Sequence, residues 1–222
     1  MQVNLTKGVM TVGFWTLLSR ILGMVREILL SALIGAGPLL DAFVVAFRLP
    51  NIFRRFFAEG AFNAAFVPLF AKRYESKMAP NDFANNVFSN LLTLLLILTS
   101  IAMIFMPVLV FLTAAGFASD ERFDLTVEFG RIMFPYILLI SLAALFSGIL
   151  NTTGRFAVAA ATPVILNVII VAALLIAWIT ESNLIVWLVY SIPIAGVLQL
   201  SLLWMATFKS GIKITLAFPR WN

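Results

Sequence analysis

The sequence predicts an all-α, polytopic membrane protein built as a six-transmembrane-helix bundle. Hydrophobic residues make up 62% of the chain and charged residues 11%, whereas soluble domains carry about 25% charged residues. The apolar residues form six long segments, each exceeding the ~20 residues that a helix needs to cross a ~30 Å hydrocarbon core. Long continuous runs of this kind indicate helices rather than short alternating strands.

The six predicted helices follow one another, separated by turns and by two longer polar connections. Their bounds are about 8–34, 39–70, 87–113, 129–151, 157–180 and 184–208. We expect residues 1–210 to form one six-helix transmembrane lobe, and residues 211–222 to begin an inter-lobe linker or a cytoplasmic tail. Gly154 follows the fourth segment and suits the left-handed position that ends many helices.

The second segment is too long for one straight span. It would reach roughly 45 Å as a single helix, and Pro50 and Pro68 interrupt it. We therefore expect a helix that is kinked near Pro50 and emerges into water around residues 72–77. The polar stretch 74–86 is then predicted to be a connecting loop or an interfacial helix.

Composition excludes several classes of chemistry. The chain has no cysteine and no histidine, which removes disulfides, thiol nucleophiles, imidazole bases and the commonest zinc ligands. No nucleophile–base pair or metal-ligand set is visible, so we expect a transporter rather than an enzyme, with no cofactor. The formal charge is +5. Because the basic residues lie in short loops or inside apolar segments, membrane lipids are the expected partner and nucleic acid is not.

The loop charges predict the orientation of the chain. With six spans both termini lie on one side, and that side collects eight basic residues: Lys7, Lys72, Arg73, Lys77, Arg155, Lys209, Lys213 and Arg220. The opposite side holds Arg122, surrounded by acidic residues. This positive-inside bias predicts that both termini are cytoplasmic.

The first segment carries charges where a membrane span ordinarily has none. Each arginine at the bilayer centre costs about 2.5–3.5 kcal/mol on insertion scales, so Arg20 and Arg26 need a compensating environment. At 100° per residue, Arg20 and Glu27 fall within about 20° of each other, with Gly23 between them, and Arg26 points about 120° from Arg20. Both arginines can border one wide cavity. Gly13 and Gly23 would let another helix or a ligand approach closely.

The second segment adds a polar stripe. Asp41, Arg48, Arg55 and Glu59 are spaced by seven, seven and four residues and stay within about 40° of one line on an unbroken helix. Arg54 lies off this line. A kink at Pro50 would rotate the residues that follow it relative to those before it, so the pattern does not decide whether Arg54 or Arg55 faces the cavity.

Several of these charges also have simpler interpretations. Arg48, Arg54 and Arg55 could extend to headgroups at the cytoplasmic edge, and Glu59 could be only a local partner of Arg55. Asp41 could be an ordinary helix cap near the outer surface. In the fourth segment, Arg131 and Glu128 are expected to form an interfacial pair.

The surplus of arginine indicates an anionic ligand. The first two segments contain five arginines and three acidic residues. The planar guanidinium group can bind two oxygens of a phosphate at once. A lipid-linked phosphate or pyrophosphate fits best. A proton pump would need a chain of acids or histidines, and an exporter of cationic drugs would need surplus acids.

Six stretches of the chain match the motifs of one known family: 19–23 with Arg26 and Glu27, 41–51, 54–62, 66–68, 134–139 and 149–152. Through them the chain resembles the MurJ (MviN) lipid II flippases of the multidrug/oligosaccharidyl-lipid/polysaccharide exporter superfamily. The resemblance implies that Arg20, Arg26 and Arg54 attract the pyrophosphate and head of lipid II. It places Glu27 and Asp41 at the cavity and outer gate, and Glu59 near the cytoplasmic gate.

The resemblance also implies a function and a partner. Lipid II, the undecaprenyl-pyrophosphate-linked peptidoglycan precursor, would move from the inner to the outer leaflet of the bacterial cytoplasmic (inner) membrane by alternating access. Family members have two six-helix lobes and an extra helix pair, whereas this chain resembles the N-terminal lobe only. A second lobe or a second copy is the implied partner. Two alternatives stay open: a flippase for another polyprenyl-pyrophosphate-linked saccharide, and a truncated, non-transporting membrane subunit.

Overall fold

The computed structural model describes residues 5–54 and 61–215, and every regular element in these ranges is helical. The helices are α1 (Leu5–Leu33), α2 (Pro38–Arg54), α3 (Ala61–Glu75), α4 (Pro80–Ile104), α5 (Met106–Thr113), α6 (Glu121–Met133), α7 (Tyr136–Thr152), α8 (Phe156–Ile179) and α9 (Leu184–Lys209). Four helical stretches of this part are long and apolar enough to cross a membrane: Pro80–Ile104, Glu121–Thr152, Phe156–Ile179 and Leu184–Lys209. The all-α, polytopic class is confirmed.

The polar stretch before the third span differs from its prediction. The chain turns at residues 76–79, and α4 already begins at Pro80. Proline suits the first turn of a helix, because the N–H that it lacks would have no intrahelical acceptor there. Residues 81–86 are therefore the first turns of α4, and they form neither a loop nor a separate interfacial helix. The second segment is helical through Pro50 as far as Arg54.

Proline divides two of the predicted spans. The third separates into α4 and α5 at Phe105, because Pro107 has no N–H to donate to the carbonyl of Met103. Arg131 Nε donates to that freed oxygen at 3.3 Å. Arg131 makes no ion pair with Glu128 within the described ranges, so the predicted interfacial pair is wrong.

The fourth span begins earlier than predicted. Its first helix, α6, starts at Glu121, and the Asp120 carboxylate caps it by accepting from the Arg122 N–H at 2.9 Å. The helix breaks at Pro135 before α7. At the other end of α7, Gly154 has φ +78° and the Arg155 N–H donates to the Leu150 carbonyl at 2.8 Å, which confirms the predicted left-handed helix end.

Helix α7 forms the centre of the bundle. Most of its side chains are buried, and it packs against α2, α3, α4, α8 and α9. α9 approaches it closely at Gly196, where an added Cβ would lie 2.8 Å from Tyr136 Cδ2 and 2.9 Å from Leu139 Cδ1. The Tyr136 hydroxyl donates to Gln199 Oε1 at 3.2 Å, and Gln199 Nε2 donates to the Thr162 carbonyl at 2.8 Å. Helices α7, α8 and α9 are thus tied together inside the apolar core.

Helix α1 stands at the edge of the bundle and packs mainly against α8. Its remaining surface exposes large apolar side chains, among them Met10, Phe14, Leu17, Met24 and Ile28. Exposed apolar surface of this extent is covered by lipid or by another protein surface. The packing of α1 on α8 determines where the arginines of the first segment lie.

Candidate functional site

Arg26 lies between α1 and α8, and its side chain is 21% exposed. Nη1 donates to the Asn167 side-chain oxygen at 2.9 Å. Nε and Nη2 both donate to Glu27 Oε1, at 3.2 and 2.5 Å. A guanidinium has five N–H donors, so this arrangement occupies three and leaves one on each terminal nitrogen. The charge is therefore held in a fixed plane by two neighbours of different kinds.

Asn167 is the residue that binds α8 to this part of α1. Its side-chain nitrogen donates to the Ser19 carbonyl at 3.0 Å and to the Ser19 hydroxyl at 3.3 Å. A Cβ added to Gly23 would lie 3.8 Å from the same nitrogen. Ser19, Gly23 and Arg26 thus form the face of α1 that meets α8.

Asn167 was not among the site residues that the sequence pattern predicted. A signal was present, because Asn167 is the only amide side chain in α8, which is otherwise apolar apart from Thr162. An amide in such a helix needs hydrogen-bond partners, since burying it without them costs free energy. Its partners are on α1, far away in the sequence, and the helical pattern of α8 alone does not reveal them.

Arg20 and Glu27 lie on the open side of α1. Both are exposed, and the Glu27 side chain is 64% exposed. Arg20 has no hydrogen bond or ion pair with another residue of 5–54 or 61–215. A Cβ added at Gly13 would likewise meet no neighbouring element of those ranges within 4 Å. Of the two arginines of α1, one is anchored to α8 and the other is available on the exposed surface.

Asp41 lies inside the first turn of α2, three residues after Pro38 begins the helix. It is therefore not the capping residue that one interpretation of the sequence allowed. Its carboxylate, 50% exposed, accepts from Arg122 Nη1 at 3.3 Å. Arg122 Nη2 also donates to Asp120 at 2.6 Å, and this hydrogen bond holds the pKa of Asp120 below its ordinary value. One arginine thus connects the start of α2 with the start of α6.

The rest of the predicted stripe on α2 is only partly described. Arg48 is exposed on α2 and has no partner in the ranges that the structure describes. Arg54 is the last residue of α2, but its side chain, together with Arg55 and Glu59, lies outside the described residues. The choice between Arg54 and Arg55 stays open.

Comparison with known proteins assigns the family. The family model described as "Lipid II flippase MurJ" matches residues 30–222. The chain belongs to the MurJ family. A "Probable lipid II flippase MurJ" of Rhizobium tropici is 45% identical over 227 residues, covering 99% of this chain and 43% of the relative. The "Lipid II flippase MurJ" of Burkholderia cenocepacia is 40% identical, covering 89% of this chain and 39% of the relative.

A solved structure agrees with this assignment. The chain is similar to "Lipid II flippase MurJ, inward closed conformation", with a TM-score of 0.75 and 28% identity. The similarity covers 93% of this chain and 43% of that one. The chain therefore spans about two fifths of the length of the MurJ relatives that it matches.

Proposed function

We propose that this chain acts as the N-terminal lobe of a lipid II flippase. It would help to move the undecaprenyl-pyrophosphate-linked precursor from the inner to the outer leaflet of the bacterial cytoplasmic membrane by alternating access. Membership of the MurJ family supports this proposal, as does the extent of the match, about two fifths of each relative. The second lobe, or a second copy of the chain, would supply the opposite wall of the cavity.

The observation that carries the proposal is the setting of Arg26. Its side chain is 21% exposed between α1 and α8, where a lower dielectric than that of water strengthens its attraction for an anion. The Nε–Nη2 edge, now directed at Glu27, has the geometry that binds two phosphate oxygens at once. A pyrophosphate head that replaces Glu27 would meet this edge in a fixed plane.

The other residues of the site have complementary roles in the proposal. Arg20, exposed on the same helix, attracts the negative head by its unneutralised charge. Arg54 is proposed as a third substrate-binding arginine. Asp41 and Arg122 close the outer ends of α2 and α6, while Arg48, Arg55 and Glu59 border the cavity or its cytoplasmic gate. With the basic loops facing the cytoplasm, both termini lie there.

Binding and transport experiments test this proposal. Native mass spectrometry of the chain in detergent should detect lipid II and undecaprenyl pyrophosphate but not uncharged undecaprenol. Arg26→Ala should abolish most of this binding, and Arg26→Lys should restore it only partly, because lysine lacks the planar fork. Arg131→Lys is the matched control, since Arg131 bonds to the Met103 carbonyl away from α1.

The outcomes separate the alternatives. Fluorescent lipid II in vesicles reports transport, both for this chain alone and for the chain joined to the remaining part of the Rhizobium tropici relative. Stronger binding of a different polyprenyl-pyrophosphate-linked saccharide would assign another cargo. Binding without transport in either form would indicate a non-transporting subunit. If alanine at both Arg20 and Arg26 leaves lipid II binding and transport intact, the proposed site is wrong.

A further inference from the structure

We propose that Asn167 is a positioning residue, which holds the Arg26 guanidinium so that its Nε–Nη2 edge is presented to a diphosphate. The inference rests on the proposed function, because it takes Arg26 to be an anion-binding residue. It assigns a role to a helix, α8, from which the sequence pattern offered no site residue.

The Asn167 side chain lies on α8 but forms its hydrogen bonds with residues of α1. It is 7% exposed, yet all three side-chain hydrogen bonds that it makes within residues 5–54 and 61–215 go to α1: one from Arg26 and two to Ser19. The bonding partners also determine which way the amide points. A guanidinium can only donate and a backbone carbonyl can only accept, so the amide oxygen must face Arg26 and the amide nitrogen must face Ser19.

The contact leaves room for little more than a methyl group at position 23 of α1. Ser19 and Arg26 are seven residues apart, which places them on one face of the helix. Gly23 lies between them on this face, with the Asn167 nitrogen 3.8 Å from the position of a Cβ. A larger side chain at position 23 would hold α8 away from α1, and the amide could no longer reach both partners.

The bond from Asn167 fixes the Arg26 side chain before a ligand binds, and it does so from one side of the guanidinium. A long arginine side chain loses about 0.5–1.5 kcal/mol of freedom when a ligand immobilises it, and a side chain that is fixed beforehand avoids this cost. Asn167 holds Nη1, the nitrogen farthest from the Nε–Nη2 edge. The anchored end therefore leaves the two-donor edge for the anion, where Glu27 now sits.

The first test is a binding comparison in the full 222-residue chain. Asn167→Leu keeps a similar side-chain volume but removes the amide. We expect it to weaken the binding of a fluorescent polyprenyl diphosphate roughly two- to twelvefold, which corresponds to the freedom that Arg26 regains. Binding of the matching polyprenyl monophosphate should weaken by a similar factor, because one phosphate can also present two oxygens to this edge. Ser141→Ala, which removes a buried hydroxyl of α7, should leave both affinities unchanged.

A double-mutant cycle separates positioning from a general structural role. If Asn167 acts through Arg26, Asn167→Leu should have no further effect on diphosphate affinity in an Arg26→Ala background. Additive losses, or an unchanged affinity in Asn167→Leu alone, would overturn the inference. If Asn167→Leu cannot be purified, Asn167→Thr replaces it, because threonine is too short to reach both partners.

The same cycle distinguishes the two proposals. Loss of diphosphate binding in Arg26→Ala but not in Asn167→Leu would overturn the inference and leave the proposed function standing. Full binding in Arg26→Ala would remove the anion site itself, and with it the reason for positioning Arg26. A readout independent of the ligand is the NMR signal of Arg26 Nε, which should sharpen and shift in Asn167→Leu as the guanidinium becomes mobile.

Discussion

Glu27→Gln should increase the affinity of the site for a polyprenyl diphosphate. Glu27 Oε1 receives hydrogen bonds from both Nε and Nη2 of Arg26, so it occupies the edge that the proposal gives to phosphate. An anion that binds there must first displace this carboxylate. Glutamine has the same length but no charge, and it competes less well for the guanidinium.

The size of the effect follows from the exposure of Glu27. Its side chain is 64% exposed, and exposed ion pairs contribute about 0.2–1 kcal/mol. Removing that competition corresponds to roughly 1.4- to 5-fold tighter binding, because 1.4 kcal/mol equals a factor of ten. Loss of the repulsion between the carboxylate and the diphosphate acts in the same direction. Screening should reduce both contributions at high salt.

The assay is the dissociation constant of a fluorescent polyprenyl diphosphate in detergent, measured at low and at high salt. Glu128→Gln is the matched control, because Glu128 is also an exposed glutamate within a helix but lies on α6. We expect the control to bind like the parent chain. Weaker binding in Glu27→Gln would refute the reasoning, because it would mean that Glu27 supports the bound state of Arg26 rather than competing with the ligand.

Three further predictions concern the fold and the outer contact. Gly196→Ala should lower the unfolding midpoint in detergent relative to Gly13→Ala. Both substitutions gain about 1 kcal/mol of helix propensity, but only Gly196→Ala also destabilises the fold by about 1–3 kcal/mol through overpacking. Equal midpoints for the two variants would contradict the close packing at Gly196. Asp41→Asn should weaken the 3.3 Å contact with Arg122 by at most about 1 kcal/mol. Hydrogen exchange at the start of α2 should therefore accelerate, and unchanged exchange would exclude the contact. Because the pKa of Asp120 is lowered in the folded chain, its stabilising contribution is present above its ordinary pKa and disappears as the pH falls below about 4. Hydrogen exchange at the start of α6, corrected for intrinsic rates, should therefore be constant near neutral pH and accelerate only in acid. Acceleration already near pH 6 would implicate another group.

The apolar segments were predictable because their signal is local. The fifth and sixth predicted segments, 157–180 and 184–208, differ by one residue at most from the ends of α8 and α9. Long apolar runs and capping residues such as Asn183, which accepts from the backbone N–H groups of the next helix, act within one stretch of chain. The division into a lobe and a linker at residue 210 stays a prediction.

Two predictions were wrong because they were made from the polarity or charge of side chains alone. Residues 81–86 were expected to form a loop or an interfacial helix ahead of the third span because they are polar, yet they belong to α4, which Pro80 starts and which continues into that span. Arg131 was expected to pair with its sequence neighbour Glu128, but it bonds to a carbonyl of α4 that Pro107 leaves free. In both cases a proline changed the backbone hydrogen bonding, and side-chain charge alone was a poor guide.

The sequence by itself determined that this is an all-α membrane protein of the MurJ type with arginines inside its first helix. Those properties depend on composition, on helical period and on motifs, which are all local. Only the tertiary structure decided which arginine is held and by what. Arg26 and its acceptor on α8 are 141 residues apart, and no helical pattern relates residues at that separation. The packing of α1 against α8 at Gly23 brings them together, and it turns a costly buried charge into a guanidinium held in a fixed plane.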